Sequence, residues 1–334
     1  MSGLLQRDPF GPRDDAALLG ELNALTEHHR QFCAPFARMW PGHETARTLT
    51  ELPFVHVGLF KRLELVTDAP GLKHGRALLS SGTAGAQSRV RLDAQSSALQ
   101  ALSVQKILGA FLGAAPRPLL VLDTGRSLRR GGDLAARLAA ALSLRPLATD
   151  LHFLFEREDD PQSVRWELLQ RLDGPLLIYG STALLWQAWT PPEPLRARID
   201  FVHSGGWKKL AAQGITRAQL DAKLLSGAGP GSRVLDYYGL AEQSGLVFPL
   251  CEHGLRHAPL WSAVLARDPF TLKPAFEGLL QLLNPLALGA PYHSVLTEDQ
   301  GRVHAGPCRC GRGGLAFELL RRLPRAEVRG CADA

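Results

Sequence analysis

Several short stretches of this 334-residue chain carry side chains suited to chemistry. Leu78-Leu79-Ser80-Ser81-Gly82-Thr83-Ala84-Gly85-Ala86-Gln87-Ser88 runs from apolar residues into a loop of small residues and hydroxyls. Gly82 and Gly85 let backbone N–H groups converge on an anion, and Ser80, Ser81, Thr83 and Ser88 add hydroxyl donors. The loop suits a polyphosphate, although it lacks the G-x-x-x-x-G-K-[ST] pattern of the common P-loop. A second stretch, Tyr237-Tyr238-Gly239-Leu240-Ala241-Glu242-Gln243, sets an acid behind paired aromatics, and a carboxylate suits a hard cation. Cys308-x-Cys310 is a two-thiolate hook, and Cys251-x5-His257 supplies a partner pair with His253 in reserve. Together they offer the three sulfurs and one nitrogen of a structural zinc site. Reduced thiols without metal are the alternative. Cys331 follows Arg325, Arg329 and Gly330, and neighbouring cations favour its thiolate. Cys33, among Phe32 and Phe36, reads as a core residue.

The elements that must position these groups alternate. Asp14 to Arg38 has leucines at helical spacing, interrupted by Pro35 and followed by Pro41. Beyond it, Pro118–Asp123, Leu151–Phe155, Leu176–Tyr179 and Arg198–Val202 read as strands. Asp133–Leu144, Ser163–Leu172 and Thr182–Trp189 read as helices between them. Repeated β-α-β units with short connections predict a mostly parallel sheet with helices on both faces. After residue 232 the helical signals give way to short strands at Val234-Leu235, Leu246–Phe248, Val264-Leu265, Leu279–Leu283 and Phe317–Leu320. The expected organisation is a helical segment over 1–50, an α/β core over 51–232 and a smaller β-rich lobe over 233–334. Ligands of open α/β sheets sit at the carboxyl ends of strands, so Ser80–Ser88, Ser204–Trp207 and Tyr238–Glu242 can meet at one site.

Taken together, the Ser80–Ser88 loop and Tyr238–Glu242 resemble the adenylate-forming superfamily, whose members activate carboxylic acids with ATP. Pro53-Phe54-Val55 with Phe60-Lys61, Ser204-Gly205-Gly206-Trp207-Lys208-Lys209, Tyr238 to Gly245, Cys308–Arg312 and Glu327–Cys331 narrow the resemblance to the LuxE-like acyl-protein synthetases. Phenylacetate–CoA ligases are their nearer cousins. The resemblance implies the large-domain fold of adenylate-forming enzymes, and a chain from which the C-terminal small domain and its catalytic Lys are absent. It implies ATP contacts from Ser80, Ser81, Gly82, Thr83, Gly85, Gly206, Tyr238 and Gly239, with Tyr238 stacked on adenine and Mg²⁺ on Glu242. Thr297-Glu298-Asp299-Gln300-Gly301 resembles a turn whose Asp accepts from both ribose hydroxyls, and Arg322 resembles an Arg that reaches ribose or phosphate. Lys208, or Lys61, would supply charge in place of the missing Lys. Cousins carry zinc at positions matching Cys251, His257, Cys308 and Cys310. Cys331 matches the Cys that takes the acyl group from the adenylate. Ala241 stands where many members have Thr.

The resulting expectation is ATP-dependent formation of acyl-AMP from a fatty or aryl acid. Transfer to Cys331 follows, then to a partner such as an acyl-CoA reductase-like or acyl-carrier protein. Two alternatives stay open: delivery of the acyl group to CoA or a carrier-protein thiol, and a non-catalytic nucleotide- or acyl-binding subunit with Ala84 and Ala241 as its departures. The formal charge of +6 comes from 38 Lys and Arg against 32 Asp and Glu. The basic residues are scattered, not gathered into an aromatic-laced patch, so nucleic acid is not the expected partner. No stretch is long and apolar enough to span a membrane, and the first residues lack a signal-peptide hydrophobic region, so a cytoplasmic protein is expected.

Overall fold

The computed structural model describes residues 3–80, 87–126, 128, 133–158, 160–172, 174–205, 207–304 and 306–322. The N-terminal helical pattern forms two helices. In α1 (Asp15–Phe32), the Asp14 side chain caps the first turn by accepting from the Ala17 N–H. The break falls at Cys33, and Pro35 sits in the first turn of α2 (Ala34–Met39), where a missing N–H costs nothing. The chain then forms β1 (Val55–His56) and a hairpin of β2 (His74–Leu79) with β3 (Arg89–Asp93). Asp93 caps α3 (Ala94–Leu112), the longest described helix, which the periodicity did not bring out because Ser96, Gln100 and Ser103 occupy buried positions.

Strand β4 (Arg117–Val121) follows, then β5 (Leu134–Ala135) and α4 (Ala136–Ser143). The helix expected from Asp133 starts only at Ala136, because Leu134 and Ala135 pair in parallel with Leu78 and Leu79. Next come β6 (Ala148–Phe153), α5 (Trp166–Arg171), β7 (Leu176–Ser181), α6 (Thr182–Ala188) and β8 (Ile199–Ser204). Short α7 (Trp207–Ala211) leads to α8 (Arg217–Ser226), which carries a Thr216/Gln219 capping box, and then β9 (Arg233–Tyr238). After the 3-10 turn Ala241–Gln243, the remaining described elements are strands: β10 (Phe248–Pro249), β11 (Arg256–Ala258), β12 (Ala263–Arg267), β13 (Pro274–Ala275), β14 (Glu277–Leu283), β15 (Ser294–His304) and β16 (Leu315–Arg322).

Three sheets result. The first has order β10-β9-β8-β7-β4-β6 and is parallel except at β10. Its central strands are buried on both faces, as parallel sheets with helical covers require. The second, order β11-β16-β15-β14-β12-β13, is antiparallel, and β1 adds to it alongside β15. The third is the small sheet β3-β2-β5. One apolar cluster joins them, running from Leu4, Leu5 and Leu22 through Leu108, Val121 and Tyr179 to Trp261, Leu282 and Phe317.

Two features bear directly on the site. Thr297–Gly301, expected as a turn, lies inside the eleven-residue strand β15, with a register shift at Gln300/Gly301. Gly301 is there because a Cβ would lie 2.4 Å from the Glu318 carbonyl oxygen, so the glycine serves strand approach and not a turn. At the opposite, amino-terminal ends of β4, β8 and β9, buried Asp200 binds Arg117 at 2.9 Å and Arg233 at 2.7 Å, which ties three strands together away from the site.

Candidate active site

The candidate groups come from all three sheets: Tyr238 ends β9 of the parallel sheet and Glu242 follows it, Ser80 follows β2 of the small sheet, and Asp299 and Arg322 lie on β15 and β16 of the antiparallel sheet. Ser80 closes its own loop: its N–H donates to the Ser88 carbonyl at 3.0 Å, and its hydroxyl accepts from the Ser88 N–H at 2.9 Å. Ser80 and Ser88 thus lie side by side. Ser81, Gly82, Thr83 and Gly85 lie outside the described residues, as do Gly206 and Cys331, and so does the side chain of Lys208 on α7.

Alternation along β9 sends Tyr237 and Tyr238 to opposite faces. Tyr238 stacks on Phe248 with ring centroids 6.0 Å apart and meets the edge of Phe317. Its hydroxyl donates to Asp299 Oδ2 at 2.8 Å. Asp299 pairs in register with Arg322 on β16, whose Nε lies 3.8 Å from Asp299 Oδ1 and whose Nη2 lies 2.9 Å from Glu298 Oε2. Burial, together with the Asp299 charge, pushes the Tyr238 hydroxyl well above its ordinary range, so it stays a donor.

Glu242 follows in the 3-10 turn Ala241–Gln243 and is only 5% exposed. Burial raises its carboxyl above the ordinary value, and the Ser88 hydroxyl and the charges of Lys61 and Arg322 oppose that rise. Lys61 arrives from an unexpected quarter. It ends the 3-10 turn Val57–Lys61 behind β1, and buried Phe60 anchors that turn in the cluster against which Ala241 packs. The structure therefore gathers Ser80, Ser88, Lys61, Tyr238, Glu242, Asp299 and Arg322 into one continuous set. A buried carboxylate among hydroxyl and cationic neighbours can hold a hard divalent cation that bridges to phosphate. A carboxylate backed by Arg and Tyr can accept from sugar hydroxyls.

Beside this set is a cavity of about 410 Å³, with Trp207, Arg217, Asp236 and Arg256 among its walls. Asp236 is on the Tyr238 face of β9 and accepts from Arg256 Nη2 at 2.9 Å, with Arg217 Nη1 at 3.9 Å. Behind it His203 bonds Thr182 Oγ1 at 2.9 Å, and burial lowers its pKa to about 4, keeping it neutral. Sequence reasoning missed Arg217, Asp236 and Arg256, which come from three separate elements. The one local signal was the position of Asp236 two residues before Tyr238, which puts both on one strand face.

The second cluster is a metal-binding geometry. Ligand atoms of Cys251, His257, Cys308 and Cys310 all lie within 4.8 Å of one another. Cys251 Sγ is 3.8 Å from Cys308 Sγ, and Cys310 Sγ is 3.3 Å from His257 Nε2. A tetrahedral zinc with Zn–S of about 2.3 Å and Zn–N of about 2.0 Å needs edges of roughly 3.8 Å between sulfurs and roughly 3.5 Å between sulfur and nitrogen. The residues fit. Burial lowers the His257 pKa to about 4, which leaves a neutral imidazole free to ligate, and pushes Cys308 up to about 11 when no cation is close. His253 is not part of the cluster; its backbone N–H donates to Cys251 Sγ at 3.4 Å. Cys33 is buried in the core as expected.

Residues 194–334 match the family model described as acyl-protein synthetase, LuxE. The long-chain-fatty-acid–luciferin-component ligase of Aliivibrio fischeri is 28% identical over 139 residues, which is 40% of this chain and 36% of that protein, so the match spans about a third of the relative's length. Among solved structures, an open conformation of 2-hydroxyisobutyryl-CoA ligase with its acyl-AMP and CoA superposes with a TM-score of 0.69. It is 16% identical, over 95% of this chain and 76% of that one. An anthranilate CoA ligase bound to anthranoyl-AMP gives 0.51 at 15% identity, over 75% of this chain and 47% of that one. No described helix is long and apolar enough to cross a membrane. The chain thus has the large-domain fold of adenylate-forming ligases, and its residues 194–334 are similar to the LuxE acyl-protein synthetases.

Proposed function

We propose that this protein is an ATP-dependent carboxylate ligase that forms acyl-AMP and then transfers the acyl group to a thiol. One observation carries the reading. Tyr238, Asp299, Arg322 and Glu242 come from four separate segments, yet Tyr238 bonds Asp299, Arg322 pairs with Asp299, and the Arg322 charge acts on Glu242. That set supplies an aromatic ring, an acceptor for sugar hydroxyls, a cation and a metal-type carboxylate together, which is what a magnesium–nucleotide needs.

In the first step a carboxylate oxygen attacks the α-phosphorus of ATP, the acyl–phosphate bond forms, and pyrophosphate leaves. Asp299 accepts from the ribose hydroxyls, with Arg322 holding its carboxylate. The Tyr238 hydroxyl gives up its bond to Asp299 as ribose enters. Tyr238 and Gly239 flank the base, and the backbone of Ser80–Gly85 and Gly206 approaches the phosphates. Glu242 would hold Mg²⁺, which when bound neutralises charge developing on the phosphates. Lys61, whose charge acts on Glu242, would add positive charge at the phosphates, and Lys208 is the other candidate for that role. In the second step the Cys331 thiolate attacks the acyl carbonyl, a thioester forms and AMP leaves. The acyl group then passes to a partner, an acyl-CoA reductase-like or acyl-carrier protein. Cys251, His257, Cys308 and Cys310 would hold a structural Zn²⁺ that pins the approach to β16, which ends in Arg322.

The test uses radiolabelled fatty and aryl acids with ATP and Mg²⁺. The expected result is acyl-AMP plus hydroxylamine-labile label on the protein, with Cys331→Ser retaining acyl-AMP and losing the protein label. Label that stays on the Cys331→Ser chain, or appears only on added CoA or carrier protein, assigns the acceptor elsewhere. Bound ATP with neither product from any acid supports a non-catalytic subunit instead.

A further inference from the structure

The segment between β14 and β15, Asn284-Pro285-Leu286-Ala287-Leu288-Gly289-Ala290-Pro291-Tyr292-His293, is buried along its whole length. Buried loops are rare because their peptide groups lose water and need protein partners. Here side chains provide them. His29 bonds the Ala287 carbonyl at 2.9 Å, Ser96 Oγ accepts from the Leu288 N–H at 2.9 Å, and Gln100 Nε2 donates to the Leu286 carbonyl at 3.1 Å. His28 bonds the Leu288 carbonyl at 3.1 Å, and a further partner is Gln243, the residue after Glu242.

Gln243 is fully buried and its amide is fully used. Nε2 donates to the Tyr292 carbonyl at 2.5 Å and to the Leu282 carbonyl at 3.3 Å, and Oε1 accepts from Asn284 Nδ2 at 2.7 Å. Asn284 Oδ1 in turn accepts from the Leu286 N–H at 2.8 Å. Gly245, at φ +86°, turns the chain away from the site, and a Cβ there would lie 2.4 Å from Gln100 Cγ. Gln243 thus fixes the 3-10 turn that presents Glu242, and it does so against the loop that leads directly into Thr297 and Asp299 of β15.

We propose that Gln243 is a positioning residue that holds the Glu242 carboxylate at the metal–phosphate position and keeps it in register with Asp299. The inference rests on the reading of Glu242 as the metal ligand. A site of this kind tolerates displacements of only about 0.5 Å, and loss of a partner that orients a ligand typically costs about 10–100-fold in metal affinity.

The experiment compares binding of ATP alone with binding of ATP plus Mn²⁺, the latter followed by water-proton relaxation. Full-length wild type, Gln243→Met, Asn284→Ala and, as a control that bonds the middle of the same loop at Leu288, Ser96→Ala are measured. The expected result for Gln243→Met and Asn284→Ala is Mn²⁺ affinity in the presence of ATP weakened about tenfold or more, with affinity for ATP alone within twofold of wild type. Ser96→Ala should lower the thermal midpoint without moving the Mn²⁺ affinity. Unchanged Mn²⁺ affinity in the folded Gln243 and Asn284 variants, or the same loss in Ser96→Ala, overturns the positioning role while leaving the ligase reading intact. Wild type that binds ATP but no Mn²⁺ overturns the metal assignment of Glu242 itself, and the positioning role with it.

Discussion

Glu242 shows how burial sets the working range of a single group. Its carboxyl is raised by desolvation, with Ser88, Lys61 and Arg322 limiting the rise. Only the ionised form can hold a divalent cation. As pH falls through a pKa raised above 4.5, the carboxylate is lost, so the acid limb of magnesium-dependent activity should lie above the range of an ordinary glutamate. Glu242→Gln should lower that activity about 100-fold or more, as loss of a group acting on developing charge does. It should also abolish the acid limb in a pH profile of pyrophosphate formation; an unchanged limb in the variant would assign it to another group. Asp299 shows a different point. Its segment could be matched by residue type, but its place in a strand could not, because Asp-Gln-Gly has the composition of a turn and the reason for Gly301 is a carbonyl on another strand.

Elements explain which parts of the site were readable and which were not. The Cys/His cluster is written in two local pairs, Cys251 with His257 and Cys308 with Cys310. Spacing within each pair is fixed by the chain itself, and only the meeting of the pairs needs the fold. The cluster predicts about one zinc per chain by elemental analysis. Chelation or Cys308→Ser should lower the thermal midpoint by more than about 5 °C; metal-free protein with an unchanged midpoint after either treatment would mean plain thiols. Lys61 stands beside Phe60 in a legible motif, but its nearness to Glu242 depends on β1 joining β15 from far along the chain. Gln243 lies inside the Tyr238–Gly245 motif too, yet its bonding is hidden from the sequence because its partners, Asn284 and the Tyr292 carbonyl, belong to a loop whose burial leaves no periodic signature. Helix α3 escaped for the same reason in reverse: its polar residues face inward to serve that loop.

For the whole molecule, the parallel sheet offers its strand ends and the antiparallel sheet brings Asp299 and Arg322 to meet them. The N-terminal helix α1 reaches the loop between β14 and β15 through His29, which bonds the Ala287 carbonyl, and through Thr26, which lies 3.0 Å from His293. The site is therefore a property of the assembled chain and not of any one segment. Alternating strands and helices indicated the first sheet because each β-α-β unit is local, whereas the long pairings of β14, β15 and β16 join residues whose mutual register no short window contains. The central claim is that this assembled site adenylates a carboxylic acid. The measurement that tests it most directly is exchange of labelled pyrophosphate into ATP, with Mg²⁺, across fatty and aryl acids. Exchange that requires one class of acid and disappears in Glu242→Gln is the predicted result. Folded, ATP-binding protein that exchanges with no acid, or exchanges equally without one, would contradict it.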